Sequence, residues 1–405
     1  MPLALFLVDA LSTAYVSGQT LPAIRNVARG GFAGSLANIY AYRGIEATLF
    51  TGLAPSEHGV WGEFRPAPAA PAREPMLDRL ARLAIRIGDV LPSDRLRLDA
   101  RYVIARLRQP NRHLPTSNLI PAHLIPWFTR SLETPIWQPG SLGAITTIFD
   151  ELRAAGRSFE IVGYPIVQRD DRIVSRVTAR VHQGTLPDFW YIKFSALDAL
   201  GHRFGPDVTR LAPALRALNE QLTHLVSALK SAYSGGIDIA VVSDHGMSRV
   251  EHTIDVRPLL KQMDLVPGRG LLYFLDSTTI RFWSENPRTR DVIAARFAEM
   301  PGARLLGARA RSAVHVPDGV VAGDLLIALD EGNVVFPDFF RRHAAPVGMH
   351  GYARVDSLAG LPFLAAEPAL AEHLPANRQL THVDMWRAIR GRLGLIEEEL
   401  CTSSS

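Results

Sequence analysis

Cysteine is almost missing from this chain, and lysine nearly so. Cys401 is the single cysteine among 405 residues, which excludes an intramolecular disulfide and makes a reducing compartment the expectation. Lys193, Lys230 and Lys261 are the only lysines, so the positive charge is nearly all arginine, a side chain suited to forked contacts with phosphate or carboxylate. The net charge of +4 is small for this length and gives no ground for a nucleic-acid partner. No apolar stretch is long enough to span a membrane. The opening run Leu3 to Val8 is too short and lacks the basic flank of a signal peptide, so a soluble, cytoplasmic protein is expected.

What is present is a set of short apolar runs that end in acids and imidazoles. Ile239 to Val242 reads as a strand buried on both faces, and it stops at Ser243-Asp244-His245-Gly246-Met247. In an open α/β sheet, ligands sit beyond the carboxyl ends of the strands, which is where Asp244 and His245 fall. A sharp turn permitted by Gly246 would let both side chains face one ion. The plainer account is a capping acid and an ordinary turn histidine. Leu3 to Val8 repeats the pattern with Asp9 at its end, and Phe189 to Phe194 leads into Asp198 and His202. Four residues apart on a helix, that pair shares a face.

Between these runs the chain alternates helix and strand patterns. Helices are expected near 20–30, 47–51, 145–155, 208–233 and beyond 380, and strands near 33–40 and 159–164. The alternation predicts an α/β fold with a mostly parallel central sheet and helices on both faces. Residues 64–135 break the pattern: proline and alanine crowd 66–75, and arginine-rich amphipathic helices are expected at 77–91 and 98–108. This segment reads as an inserted α-rich cap on one domain spanning 1–405, its arginines forming a solvated face rather than a membrane-surface helix. Residues 270–335 read as a small α+β insertion, with strands at 271–275, 279–283, 303–306 and 324–328 and a helix at 287–299.

Asp9, Asp198, His202, Asp244, His245 and His350 together make three carboxylates and three imidazoles. Mixed oxygen and nitrogen donors suit zinc, manganese or iron better than magnesium or calcium. In order along the chain, five segments resemble those of the alkaline phosphatase superfamily, in its type I phosphodiesterase/nucleotide pyrophosphatase branch. They are Asp9 after the first strand, Thr51-Gly52 with Pro55 and His58-Gly59, Asp198 with His202 and Gly205-Pro206, Ser243 to Met247, and His350-Gly351-Tyr352. The resemblance implies a three-layer sandwich holding two divalent ions, most simply zinc. Asp198, His202 and His350 would hold one ion and Asp9, Asp244 and His245 the other. It implies a packing role for His58.

The chain departs from that family where the substrate phosphate would be touched. The family's nucleophilic threonine or serine lies nine residues before the threonine of Thr51-Gly52, a position held here by Tyr42, with Arg43 beside it. Ser35 and Thr48 are the nearest aliphatic hydroxyls and neither has that spacing. Glu63 stands where the family has a phosphate-holding asparagine, and a carboxylate there would repel an anion. Three readings follow. Tyr42 is the nucleophile, its phenol acidified by a dication. Or a metal-activated water attacks directly, with Tyr42 or Arg43 orienting the anion. Or the chemistry is altered and the metals serve another role. The expected activity is di-metal hydrolysis or transfer of a phosphoric ester, diester or pyrophosphate, with sulfate or phosphonate esters also compatible. The rival is a metal-binding interaction protein without turnover.

Overall fold

The computed structural model describes residues 1–16, 20–67, 83, 90, 96, 119–121, 124, 127–164, 169–263, 270–317 and 319–395. The arginine-rich helices expected at 77–91 and 98–108 fall almost entirely outside these residues, as does Cys401.

β1 (Leu3–Val8) is the centre of a six-stranded sheet. All six of its side chains are buried, because Ala4, Phe6 and Val8 point to one layer of helices and Leu3, Leu5 and Leu7 to the other. Burying each of the larger side chains is worth roughly 1.5–3 kcal/mol, which is why a strand with no polar face is stable only here. Parallel to β1 on one side run β6 (Phe189–Phe194) and then β5 (Phe159–Val162). On the other side lies β7 (Asp238–Val242), also parallel. Beyond β7 the sheet continues with β16 (Phe363–Ala366), which runs antiparallel, and ends with β2 (Phe32–Ser35). Five strands therefore point one way and β16 points back.

Helices Pro22–Val27, Asp170–His182 and Val208–Ala232 cover one face, with Leu211, Leu215, Leu218, Leu222, Leu225 and Leu229 as the inner stripe of the last. Helices Gly44–Thr51, Ile148–Ala154 and His382–Leu393 cover the other. The result is an α/β three-layer sandwich. The strand expected at 33–40 is shorter than its pattern suggested. Pairing with β16 stops at Ser35, and the following residues turn toward the site. Among the described residues, no helix is long and apolar enough to cross a membrane.

A second, antiparallel sheet has the order β10 (Leu271–Leu275), β11 (Thr279–Ser284), β13 (Leu325–Leu329), β12 (Ala303–Leu305), with helix Pro287–Ala298 packed on it. The two ends of the 64–135 segment meet as a ribbon of β3 (Phe64–Pro66) and β4 (Phe128–Arg130), whose Phe64 and Phe128 rings pack on Phe274 of β10. The turn between β10 and β11 is fixed by a fully buried pair, Arg281 Nε to Asp276 Oδ2 at 2.9 Å, while Arg281 Nη1 donates to the Phe64 carbonyl at 2.8 Å. Because an unpaired charge there would cost several kcal/mol, the turn residues Ser277 and Thr278 have little freedom. Ser277 donates to Asp338 Oδ2 at 2.5 Å and Thr278 to the Gly351 carbonyl at 2.7 Å.

Candidate metal centre

Four neighbouring segments deliver the six sequence-predicted ligands to one place. Asp9 follows β1, Asp244 and His245 follow β7, and Asp198 and His202 lie in helix Ala196–Phe204 directly after β6. His350 comes from far along the chain. It is brought in by β15 (Gly348–Met349), which pairs with β8 (Ser248–Arg249) immediately after the Asp244-His245 turn. That two-residue ribbon sets the His350 ring on His245, with centroids 3.5 Å apart and planes within 5°.

Gly246 does its work differently from the expectation. Its backbone has no positive φ, so no special turn depends on it. A β-carbon there would instead lie 2.4 Å from the Ala359 carbonyl oxygen, so the glycine admits a neighbouring loop. The turn itself is pinched by the Ser243 hydroxyl, which donates to the His245 carbonyl at 2.6 Å. Behind it, the buried His382 Nε2 lies 2.8 Å from the Ser243 carbonyl. Ala10 adopts the left-handed conformation (φ 60°), which turns its N–H onto Asp244 Oδ1 at 3.3 Å.

The donors form two groups that share His245. One is Asp9, Asp244 and His245, with His245 Nε2 3.3 Å from Asp9 Oδ1 and 3.8 Å from Asp244 Oδ1. The other centres on Asp198, whose Oδ1 faces His202 Nε2 at 3.4 Å and His350 Nε2 at 3.6 Å. His245 also belongs to a trio with Asp198 and His350 whose donor atoms all lie within 4.8 Å of one another. Nδ1 of His202 donates to the Gly348 carbonyl at 2.9 Å and Nδ1 of His245 to the Gly246 carbonyl at 2.9 Å, which leaves both Nε2 atoms for the centre. Asp198 Oδ1 is buried without a hydrogen bond. A buried carboxylate oxygen left so, facing two imidazole nitrogens, has the donor chemistry of a divalent-ion site.

Charge separates the two groups. Burial raises the Asp198 carboxyl to about 7, with Asp9 adding repulsion. Burial also lowers His202 to about 3 and drives His350 well below its ordinary range, so both rings are neutral, the form that binds metal. For His245 burial works the same way, but Asp244 and Asp9 outweigh it and hold the ring above its ordinary value. Lys193 was not anticipated as a site residue. Its Nζ lies 3.2 Å from Asp9 Oδ2, 3.5 Å from Asp244 Oδ2 and 2.6 Å from Glu46 Oε1. The Tyr164 hydroxyl donates to the same Glu46 oxygen.

Tyr42 and Arg43 are both engaged by neighbours within the protein. The Tyr42 hydroxyl bonds the Thr278 hydroxyl, which in turn donates to the Gly351 carbonyl at 2.7 Å. Its ring meets His350 edge-on at 5.8 Å. Gly351, at φ 80°, is required there because a β-carbon would fall 2.7 Å from the Tyr42 ring. Burial, with Asp276 nearby, pushes the Tyr42 phenol well above its usual range. Arg43 is half-exposed and paired with Glu63, so the carboxylate at the asparagine position is neutralised by its own neighbour. Both line a cavity of about 280 Å³, with Glu46, Trp137 and Tyr164 among its other walls. Thr48 and His58 bond each other at 3.0 Å, and His58 Nδ1 accepts from the Val60 N–H, a buried bridge between two helices that is apart from the centre.

The sheet, its two helical layers and the site at the strand ends are those of an alkaline phosphatase-like α/β fold. A family profile described as type I phosphodiesterase/nucleotide pyrophosphatase matches residues 3–353, and the chain belongs to that family. Human ectonucleotide pyrophosphatase/phosphodiesterase 5 is similar in structure at a TM-score of 0.67 and 14% identity, over 98% of this chain and 96% of that one. The murine protein of the same name, in an inactive form in complex with AMP, is similar at 0.66 and 15%, again over 98% and 96%. No protein of curated function matches the chain significantly in sequence.

Proposed function

We propose that this chain is a two-metal hydrolase of phosphoric diesters or pyrophosphates, with water as the attacking group. The observation that carries the reading is the convergence of three carboxylates and three imidazoles at the strand ends, with two His/Asp groups each able to hold an ion, in a member of a phosphodiesterase/pyrophosphatase family. Asp198, His202 and His350 would hold one ion and Asp9, Asp244 and His245 the other. Zinc suits this donor set. When bound, such a pair polarises the phosphoryl oxygens and lowers the pKa of a water.

The protein's own groups divide the remaining work. The cavity beside Arg43 and Trp137 receives one substituent of the ester, and Arg43 meets an oxyanion at its mouth. Attack forms the new P–O bond, the ester P–O bond breaks, and the proton lost by water ends on the leaving oxygen. Tyr42 is assigned a positioning role. Its hydroxyl is engaged by Thr278 and its phenol is held protonated by burial, which supports water over a phenolate nucleophile.

The test is metal content after exhaustive dialysis, followed by hydrolysis of bis(p-nitrophenyl) phosphate and p-nitrophenyl phosphate by the loaded protein. The expected result is two ions per chain and faster turnover of the diester. Less than one ion, with His350→Ala making no difference, refutes the reading. A phosphotyrosine trapped during turnover refutes the role given to Tyr42.

A further inference from the structure

Lys193 is the one charged residue in the otherwise apolar strand Phe-Trp-Tyr-Ile-Lys-Phe of β6. It pairs in register with Leu7 of β1, two residues before Asp9, so its side chain rises beneath the carboxylates at the strand ends. The Lys193 side chain is only 11% exposed, and its ammonium sits among three carboxylates, with Glu46 closest, then Asp9, then Asp244. No such cation contacts Asp198 among the described residues. Its nearest charge partners among the described residues are the imidazoles of His202 and His350.

The two groups therefore begin from different states. At Asp198, a dication meets an oxygen without a hydrogen bond that faces two imidazole nitrogens. At Asp9 and Asp244, a dication must share both carboxylates with a fixed ammonium that already compensates them, and like charges a few ångströms apart repel strongly in a buried site. Glu46 moderates this by drawing Nζ toward itself at 2.6 Å, with Tyr164 steadying the carboxylate from behind.

We propose that Lys193, held by Glu46, makes the two ion sites unequal, so that the Asp198/His202/His350 site fills first and the Asp9/Asp244/His245 site fills last and more weakly. Lys193 acts here as a positioning residue, setting the affinity of the second site for a divalent cation through Asp9 and Asp244. The inference rests on the two-ion reading above.

The test is titration of the chelator-stripped full chain with Zn²⁺ by calorimetry and competition with a metal-binding dye, for wild type, Lys193→Met and Glu46→Gln. Wild type should take up two ions in separated steps. Lys193→Met, which keeps the length and removes the charge, should tighten the weaker step by about 10- to 100-fold and leave the tighter step in place. Glu46→Gln should move the weaker step in the opposite direction, because the ammonium then leans on Asp9 and Asp244 alone. Opposite shifts from neighbouring variants do not arise from general loosening of the fold. Two equal steps in wild type, or a folded Lys193→Met with an unchanged gap, would overturn the inference while leaving the hydrolase reading intact. If Lys193→Met fails to fold by circular dichroism, Glu46→Gln decides: a wider gap supports the ordering and an unchanged one overturns it. Absence of any Zn²⁺ uptake would overturn the two-ion reading and this inference together.

Discussion

The two halves of the centre are built on opposite principles. Asp9 and Asp244 stand at the ends of adjacent central strands, each hydrogen-bonded or ion-paired within the protein, with Lys193 as a resident cation. Asp198 stands on a helix, with His202 one turn along and His350 contributed by a distant loop, and its Oδ1 is left without a hydrogen bond. One half carries a resident cation, and the other leaves a buried carboxylate oxygen facing imidazole nitrogens without a hydrogen bond. The contrast teaches that six ligands of the same types need not bind two ions alike: what surrounds a carboxylate decides whether an ion is a necessity or a competitor.

The sharpest way to break this comparison is to remove Asp198. Asp198→Ala should lower phosphodiester hydrolysis by about three orders of magnitude, about 4 kcal/mol of transition-state stabilisation. It should also abolish the tighter step of metal uptake. Loss of the weaker step instead would invert the assignment.

Stability of the metal-free protein should separate the halves further. Asp244 is held below its usual pKa because His245 and Lys193 outweigh its burial, so Asp244→Asn should cost about 1.5–3 kcal/mol by removing a carboxylate from beside both cations. Asp198 behaves oppositely. Its carboxyl keeps a proton to about 7 in the fold but only to 3.8 when unfolded. Between those values the folded chain binds more protons, so this group's contribution to stability falls as pH rises through that window. Metal-free Asp198→Asn should therefore be more stable than metal-free wild type by about 4 kcal/mol at about pH 8, with the gain fading as pH falls toward 4. Urea unfolding at several pH values reads both, and the same sign for both variants would collapse the distinction.

A smaller effect is expected from Tyr42→Phe, which removes only the hydroxyl that Thr278 engages. Activity should fall by less than about tenfold, under about 1.4 kcal/mol. A loss of two orders of magnitude would place the phenol among the reacting groups. The smallest effect belongs to Arg43 and Glu63, the half-exposed pair at the cavity mouth. A double-mutant cycle on stability should return a coupling of about 0.2–1 kcal/mol. The same Arg43→Ala variant should raise KM more than it lowers kcat.

Much of this was legible in the residues. Buried strands announce themselves as continuous β-branched and aromatic runs, so β1, β6 and β7, and the acids at their ends, could be read directly. β16 could not. Phe363 to Ala366 is a four-residue apolar stretch without periodicity, and only the open edge of β7 makes it a strand. The overlong expectation for β2 failed for the same reason, since strand length is set by the partner and not by the pattern. Lys193 had a signal that went unused: one of three lysines in the chain, placed inside an apolar strand beside the others that carry the site.

The sequence by itself determined the α/β class and offered six candidate donor residues near strand ends, because those depend on local periodicity and on residue chemistry at fixed spacings. The tertiary structure alone decided which donors meet. Thr278 takes up the Tyr42 hydroxyl across 236 residues of chain and donates to the Gly351 carbonyl across 73, and Lys193 reaches Glu46 across 147. Such pairings follow from how sheets and loops close in space. A hydroxyl or an ammonium is partnered by whatever lies within about 3 Å of it, and no spacing along the chain encodes that distance.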